Sequence, residues 1–278
     1  MTHTMAVAEL SLQASPERIN VLGVGVSILD MQAAVSKIIA GADQPEHAGY
    51  VTVTGVHGVI ESQRDTELKK VYNQSFLSTP DGMPMVWVGR TLGHRKISRV
   101  YGPDLMLEIS KASADTQRAH YYFGGNDGVA DKLKSDLENR FEGLNVVGTM
   151  TPPFRPMTAE EDQNLVDELQ RLKPHFFWVG LGAPKQERFM HDFLQRHPDL
   201  TADWDHGMIM LGVGAAFDFH TGRLRQAPKF MQRCGFEWLF RLAMEPSRLW
   251  KRYAYSNSMF LCRIFPQLLG LKKYEMDR

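Results

Sequence analysis

Apolar runs and amphipathic stretches alternate along almost the whole chain. INVLGV (19–24), YVTVT (50–54), HYYFGG (120–125), LNVVGTM (144–150), HFFWVGLG (175–182) and MIMLGVGAAFDF (208–219) are short and rich in β-branched or aromatic residues. They read as strands, the last running into a glycine turn. Between them the spacing predicts helices over Leu29–Ala40, 59–75, 103–116, Val129–Phe141 and 185–197. A further helix opens where Thr158 and Glu161 stand at capping-box spacing and runs to about Leu172. MPMVWVG (83–89) is apolar throughout and stays open between helix and strand. Strands separated by helices argue for βαβ units. The expected fold is therefore α/β, a Rossmann-like and mostly parallel sheet flanked by helices. Residues 1–18 read as a flexible lead-in, 19–228 as the α/β domain, and 229–278 as a helical, basic C-terminal appendage.

Charge sharpens the last boundary. The chain of 278 residues carries 32 Lys+Arg and 32 Asp+Glu, yet the segment from Lys229 to Arg278 is net +6, leaving −6 for the rest. Such asymmetry points to a tail that meets an anionic partner. Its aromatic residues (Trp238, Phe240, Trp250, Tyr253, Tyr255, Phe260, Phe265) alternate with Lys and Arg, as in a segment lying among lipid headgroups. A helix pair with a basic outer face is the plainer alternative. No run of 18 apolar residues occurs, so no spanning helix is expected, and the first 19 residues lack the pattern of a signal peptide. Two cysteines, Cys234 and Cys262, exclude a disulfide framework and a four-cysteine zinc site.

Several familiar signals fail. Gly23-Val24-Gly25 starts a dinucleotide fingerprint, but position 28 is isoleucine; no P-loop and no GxSxG occurs. The ten histidines show no HExxH spacing, so no metal site and no cofactor is expected. Asp203-Trp204-Asp205 has the spacing of a metal–diphosphate pair but reads as a solvated turn. A nucleotide-sugar epimerase or dehydrogenase would need the missing nicotinamide loop. A nucleic-acid-binding protein would need a motif that the basic tail lacks, so no nucleic acid is expected as a partner.

Three segments carry chemistry. In STPDGMPMVW (78–87), Asp81 stands at an apolar boundary, where burial would raise its pKa as suits a general base; a plain Pro-Asp-Gly turn is the alternative. In GLGAPKQE (180–187), the loop runs straight into a helix whose start lets Lys185 and Gln186 face a ligand beside free backbone amides. In the stretch 212–253, a glycine loop is followed by Arg223 and Arg225, which could bind phosphate, and then by Trp238, Arg241, Glu245, Arg248 and Arg252 near one helical stripe. Small-residue turns after the strands (Gly124-Gly125, Gly182-Ala183-Pro184, Gly212 to Gly214) could let amides approach a nucleoside diphosphate, or could serve turn geometry alone.

The order of TPDGMP (79–84), YGPDL (101–105), YFGG (122–125), PPFRP (152–156), GAPKQE (182–187), GVGAAFDFHTG (212–222) and GFEWLFRLAMEPSRLWKRY (235–253) closely resembles the WecG/TagA/CpsF glycosyltransferases, family 26. The resemblance implies an inverting transfer from a UDP-sugar donor to a polyprenyl-diphosphate-linked sugar at the inner face of the cytoplasmic membrane, in bacterial cell-surface polysaccharide synthesis. N-acetylmannosamine, its uronic acid and glucose are the sugars such families use. It implies a base at Asp81, a catalytic glutamine at Gln186 and a catalytic threonine at Thr54, or at Thr52 if the register slips. Gly124, Gly125, Gly182, Pro184, Lys185, Gly212, Gly214, Asp104, Arg223, Arg225, Arg241, Arg248 and Arg252 fall to substrate binding. Two positions depart from the family pattern: Val56 where an asparagine is expected, and Gln226 where many members have arginine. A cytoplasmic protein held peripherally on the inner membrane is the expectation; the apolar tail faces leave a homo-oligomer open.

Overall fold

The computed structural model describes residues 16–276; most of the expected lead-in, residues 1–15, lies outside them. Six strands form one parallel sheet in the order β4-β3-β8-β7-β5-β6, where β3 is Ala48–Thr54, β4 Leu77–Pro80, β5 Ala119–Gly124, β6 Asn145–Met150, β7 Phe176–Gly180 and β8 Met208–Gly212. The α/β reading is confirmed. Strands β5, β7 and β8 are buried along nearly their whole length, which is why they read as unbroken apolar runs: helices cover both faces of a parallel sheet.

The helices are α1 (Met31–Ala42), α2 (Val56–Glu61), α3 (Thr66–Gln74), α4 (Met83–Thr91), α5 (Gly102–Ser113), α6 (Val129–Arg140), α7 (Ala159–Leu172), α8 (Lys185–Arg196), α9 (Ala216–His220), α10 (Lys229–Arg233), α11 (Glu237–Met244) and α12 (Pro246–Leu268). The capping box at Thr158 and Glu161 forms as its spacing predicts.

Two elements differ from expectation, and two segments without a settled assignment gain one. INVLGV is not one strand: Leu22 and Gly23 adopt positive φ (54° and 85°) and fold β1 (Arg18–Val21) back on β2 (Val24–Ser27) as a separate antiparallel pair. The single helix expected over 59–75 breaks into α2 and α3, because Asp65 caps the second with a side-chain bond to Leu68 N. The open segment 83–89 is helical. Strand β4 lies where the sequence reading assigned no element; it ends in Pro80, and proline is tolerated there because β4 is an edge strand.

The basic tail is sewn to the rest of the molecule. Phe260 and Ile264 of α12 are buried in the same cluster as Ile19, Val21, Val59 and Met85. Gln267 bonds both Leu22 N and Asn20 O, at 2.9 and 2.7 Å, and Asn20 bonds Tyr274 O. His57 of α2 meets Ser256 at 3.3 Å. Among the described residues no helix is long and apolar enough to cross a membrane.

Candidate active site

The loops after the strands converge on the carboxyl edge of the sheet, where open α/β sheets bind ligands. Packing between these turns is close. A Cβ on Gly124 would stand 2.7 Å from the backbone of Gly180, and one on Gly102 would stand 3.5 Å from Val213 O. Gly125 N bonds Gly180 O at 3.1 Å. A Cβ on Gly214 would lie 3.8 Å from Gly182 Cα. The three glycine turns after β5, β7 and β8 therefore form one continuous backbone surface.

Asp81 opens on the same edge. Its N–H extends the β3–β4 pairing to Thr54 O at 2.9 Å, and Gly82, with φ of 79°, turns the chain into α4. The carboxyl is half-buried. Burial, then the charge of Glu237, pushes its pKa up to about 7, against the opposing pull of Arg99, Arg241 and the Gly82 N–H. Desolvation wins over two guanidinium groups because a carboxylate loses more in hydration than partly solvated cations return.

Around Asp81 stand residues from four distant segments. Arg99 is paired with Glu237, bonds Gln232 at 3.0 Å, and its guanidinium sits 4.0 Å over the Tyr101 ring. Tyr101 contacts Phe219 at 6.5 Å between ring centroids, and Arg241 lies 5.7 Å over Phe219. Tyr253 of α12 faces Arg241, Arg252, Glu237 and Asp81, its phenol pushed up chiefly by burial. Arg99, Tyr101 and Glu237 were not singled out from the sequence, and Tyr253 was named only among the tail aromatics. Arg99 lies just outside a motif, and the others sit inside matched motifs without a spacing that marks them.

Beyond Arg241 is a cavity of about 200 Å³ lined by Arg223, Arg225, Arg241 and Glu245, with Phe219, Leu224 and Met244 as its apolar wall. Arg223 pairs with Asp218 at 3.4 Å and Arg248 with Glu245 at 2.6 Å. Arg252 is half-buried, and its pKa is lowered by that burial and by the like charges of Arg248 and Arg241. Crowded guanidinium groups beside a cavity favour an anion.

The remaining expected site residues fall less openly. Thr54 has no exposed surface; its hydroxyl is 2.8 Å from Ser78 Oγ and 3.0 Å from Thr52 Oγ1, and Thr52 is equally enclosed. Either threonine supports the β3–β4 edge beneath Asp81 instead of reaching into the cleft. Gln186 is 3% exposed and is spent on Gly182 N and Glu187. Pro184 follows a cis peptide, Lys185 is exposed at the start of α8, and Asp104 is exposed in the first turn of α5. Asp203 and Asp205 precede β8, on the opposite edge of the sheet, both exposed, with Trp204 buried between them.

A raised carboxylate, a glycine-backbone surface and an arginine-lined cavity on one sheet edge can together deprotonate a hydroxyl and hold a leaving diphosphate. The model of the Glycosyl transferase WecG/TagA/CpsF family matches residues 19–274, nearly the whole chain, and the protein belongs to this family of glycosyltransferases, which act in cell-surface polysaccharide synthesis.

Proposed function

We propose that the protein transfers a sugar, with inversion, from a UDP-sugar to a polyprenyl-diphosphate-linked sugar at the inner membrane face, without a metal. One observation carries this reading. Arg241 lines the cavity shared with Arg223 and Arg225 and also acts electrostatically on Asp81. A diphosphate held by those arginines would place the bond to be broken beside the base.

In the single displacement, Asp81 takes the proton of the acceptor hydroxyl as that oxygen bonds to the anomeric carbon. The bond from that carbon to the diphosphate oxygen breaks, and its electron pair leaves with UDP. Arg241, Arg223 and Arg225 stabilise the added negative charge, while the glycine turns bring backbone amides to the nucleotide. Thr54 acts through its carbonyl, which fixes the Asp81 backbone. Preorganised cations of this kind do the work that a divalent ion does elsewhere.

The tail fits a lipid-borne acceptor. Trp87 of α4 shares with Phe230, Phe236, Trp238, Leu239, Met244 and Trp250 of the tail region large apolar surfaces that remain exposed, interspersed with Lys229, Arg233 and Lys251. Such a face suits the headgroup region of an anionic bilayer. The test is UDP release from a panel of UDP-sugars with a polyprenyl-diphosphate-sugar analogue, in EDTA. Acceptor-dependent release from one donor supports the reading. No release from any UDP-sugar, or an absolute need for a divalent ion, overturns it.

A further inference from the structure

Glu187 is a carboxylate with no exposed surface, one turn into α8, and its Oε2 has no hydrogen-bond partner among the described residues. A buried acceptor left half satisfied costs stability, so its presence asks for a use. Its other oxygen, Oε1, accepts from Gln186 Nε2 at 3.0 Å. That bond orients the Gln186 amide: with the NH₂ turned to Glu187, the amide oxygen points the opposite way and accepts from Gly182 N at 3.2 Å. Gly182 has φ of 76°, a conformation that glycine adopts without steric cost, and this bond ties its N–H to α8.

The same amide touches the neighbouring turn. A Cβ on Gly212 would stand 3.0 Å from Gln186 Nε2, and one on Gly214 would stand 3.5 Å from Gln186 Oε1. The amide thus fills the space between the turn after β7 and the turn after β8, and a side chain at 212 would crowd it. Gly182 N–H bonds only the oxygen end of the amide, and the acceptor at Glu187 holds the NH₂ end, so the two bonds fix one orientation together.

We propose that Glu187 is a positioning residue: through the Gln186 amide it locks the 180–184 loop against the 212–214 turn and so sets the backbone cradle for the nucleotide diphosphate. The link to a nucleotide rests on the function proposed above; the lock itself does not. Glu187 touches no substrate in this scheme, and Gln186 works as the strut between two loops.

The experiment compares the full-length protein with Glu187→Met, Glu187→Gln, Gln186→Met and the Glu187→Met/Gln186→Met pair. It measures thermal stability, exchange protection of the Gly182 amide, UDP affinity by calorimetry, and KM and kcat for the donor. Expected is a loss of Gly182 protection and an about tenfold weaker UDP affinity and higher donor KM in Glu187→Met, with kcat changed much less and thermal stability little changed, since the half-satisfied carboxyl is gone while the Gln186 NH₂ loses its acceptor. Gln186→Met should match it in Gly182 protection and UDP affinity but be less stable, because the Glu187 carboxyl loses its donor, and in protection and affinity the pair should be no worse than either single change, because the two residues form one connection. Glu187→Gln retains an acceptor and should restore affinity to within about threefold of wild type. Wild-type Gly182 protection and UDP affinity in Glu187→Met overturn the proposal, as does full additivity in the pair. Wild-type protein that binds no UDP while Gly182 exchange still answers to Glu187 sinks the donor reading and leaves the lock standing.

Discussion

Replacing Asp81 by asparagine should stabilise the protein while disabling it. Burial raises the carboxyl from 3.8 to about 7, so the folded state holds this proton far more tightly than the unfolded chain. At about 1.4 kcal/mol per pH decade, ionising Asp81 in the folded protein costs at most about 4 kcal/mol. The group is half-buried, and solvent reaching it reduces this to about 2 kcal/mol. The sign follows from linkage: with the folded pKa above the unfolded one, the penalty is absent below about pH 4, grows as the pH rises, and is complete above about pH 7. Asparagine removes the charge and keeps the shape. Thermal unfolding of wild type and Asp81→Asn from pH 4 to 8 should therefore give curves that diverge with pH, the variant melting about 4 °C higher at pH 8. Turnover of the same variant should fall by about 10²–10⁴. A variant less stable than wild type at pH 8, or an advantage that does not depend on pH, would show that the carboxyl carries no burial penalty. Near-normal turnover would remove it from the chemistry.

Arg241→Ala should move the ascending limb of the kcat/KM profile to higher pH, since Arg241 helps hold the Asp81 pKa down, and should weaken UDP binding; an unmoved limb would separate Arg241 from the base. Gly124→Ala forces a Cβ to 2.7 Å from the Gly180 backbone at a φ of 128° and should cost about 1–3 kcal/mol together with most UDP affinity, read by chemical unfolding and calorimetry; a silent variant would mean the turns are not closely joined. Trp238→Ser with Trp250→Ser removes exposed aromatic surface and should lower flotation with anionic liposomes while leaving UDP affinity unchanged. Flotation equal to wild type would discard the membrane role of that face.

The sheet core was legible because its strands are continuous apolar runs buried on both faces, as FFWVG of β7 shows. The edge was not. In LSTP of β4, two hydroxyls and a proline give no strand pattern, although the hydroxyls bond across the strand pair and the Pro80 carbonyl accepts from Val100 N at 2.9 Å. The Leu22-Gly23 reversal lies inside a mostly apolar run; Asn20 and Gly23 are its only turn residues, and Asn20 Oδ1 accepts from Gly23 N at 2.7 Å, but the flanking apolar residues on both sides read as one strand. Of the site, Asp81 and the glycine turns could be read locally, because each stands next to a boundary; the stripe expected from Trp238 to Arg252 is broken at Glu245, whose non-helical backbone (φ −135°, ψ 59°) separates α11 from α12. Arg99 and Glu237 could not: their pairing joins segments 138 residues apart in the chain. Nor could sequence tell that Thr54 faces its neighbours' hydroxyls, since a strand's alternation gives two faces without saying which is enclosed.

The most direct test is the structure of the protein with UDP bound. The account predicts the diphosphate within hydrogen-bond reach of Arg241 and Arg225, the nucleoside along the Gly124 and Gly182 turns, and the terminal phosphate on the side that Asp81 faces. UDP seated elsewhere, with the arginine cavity vacant and Asp81 remote from the phosphates, would contradict it.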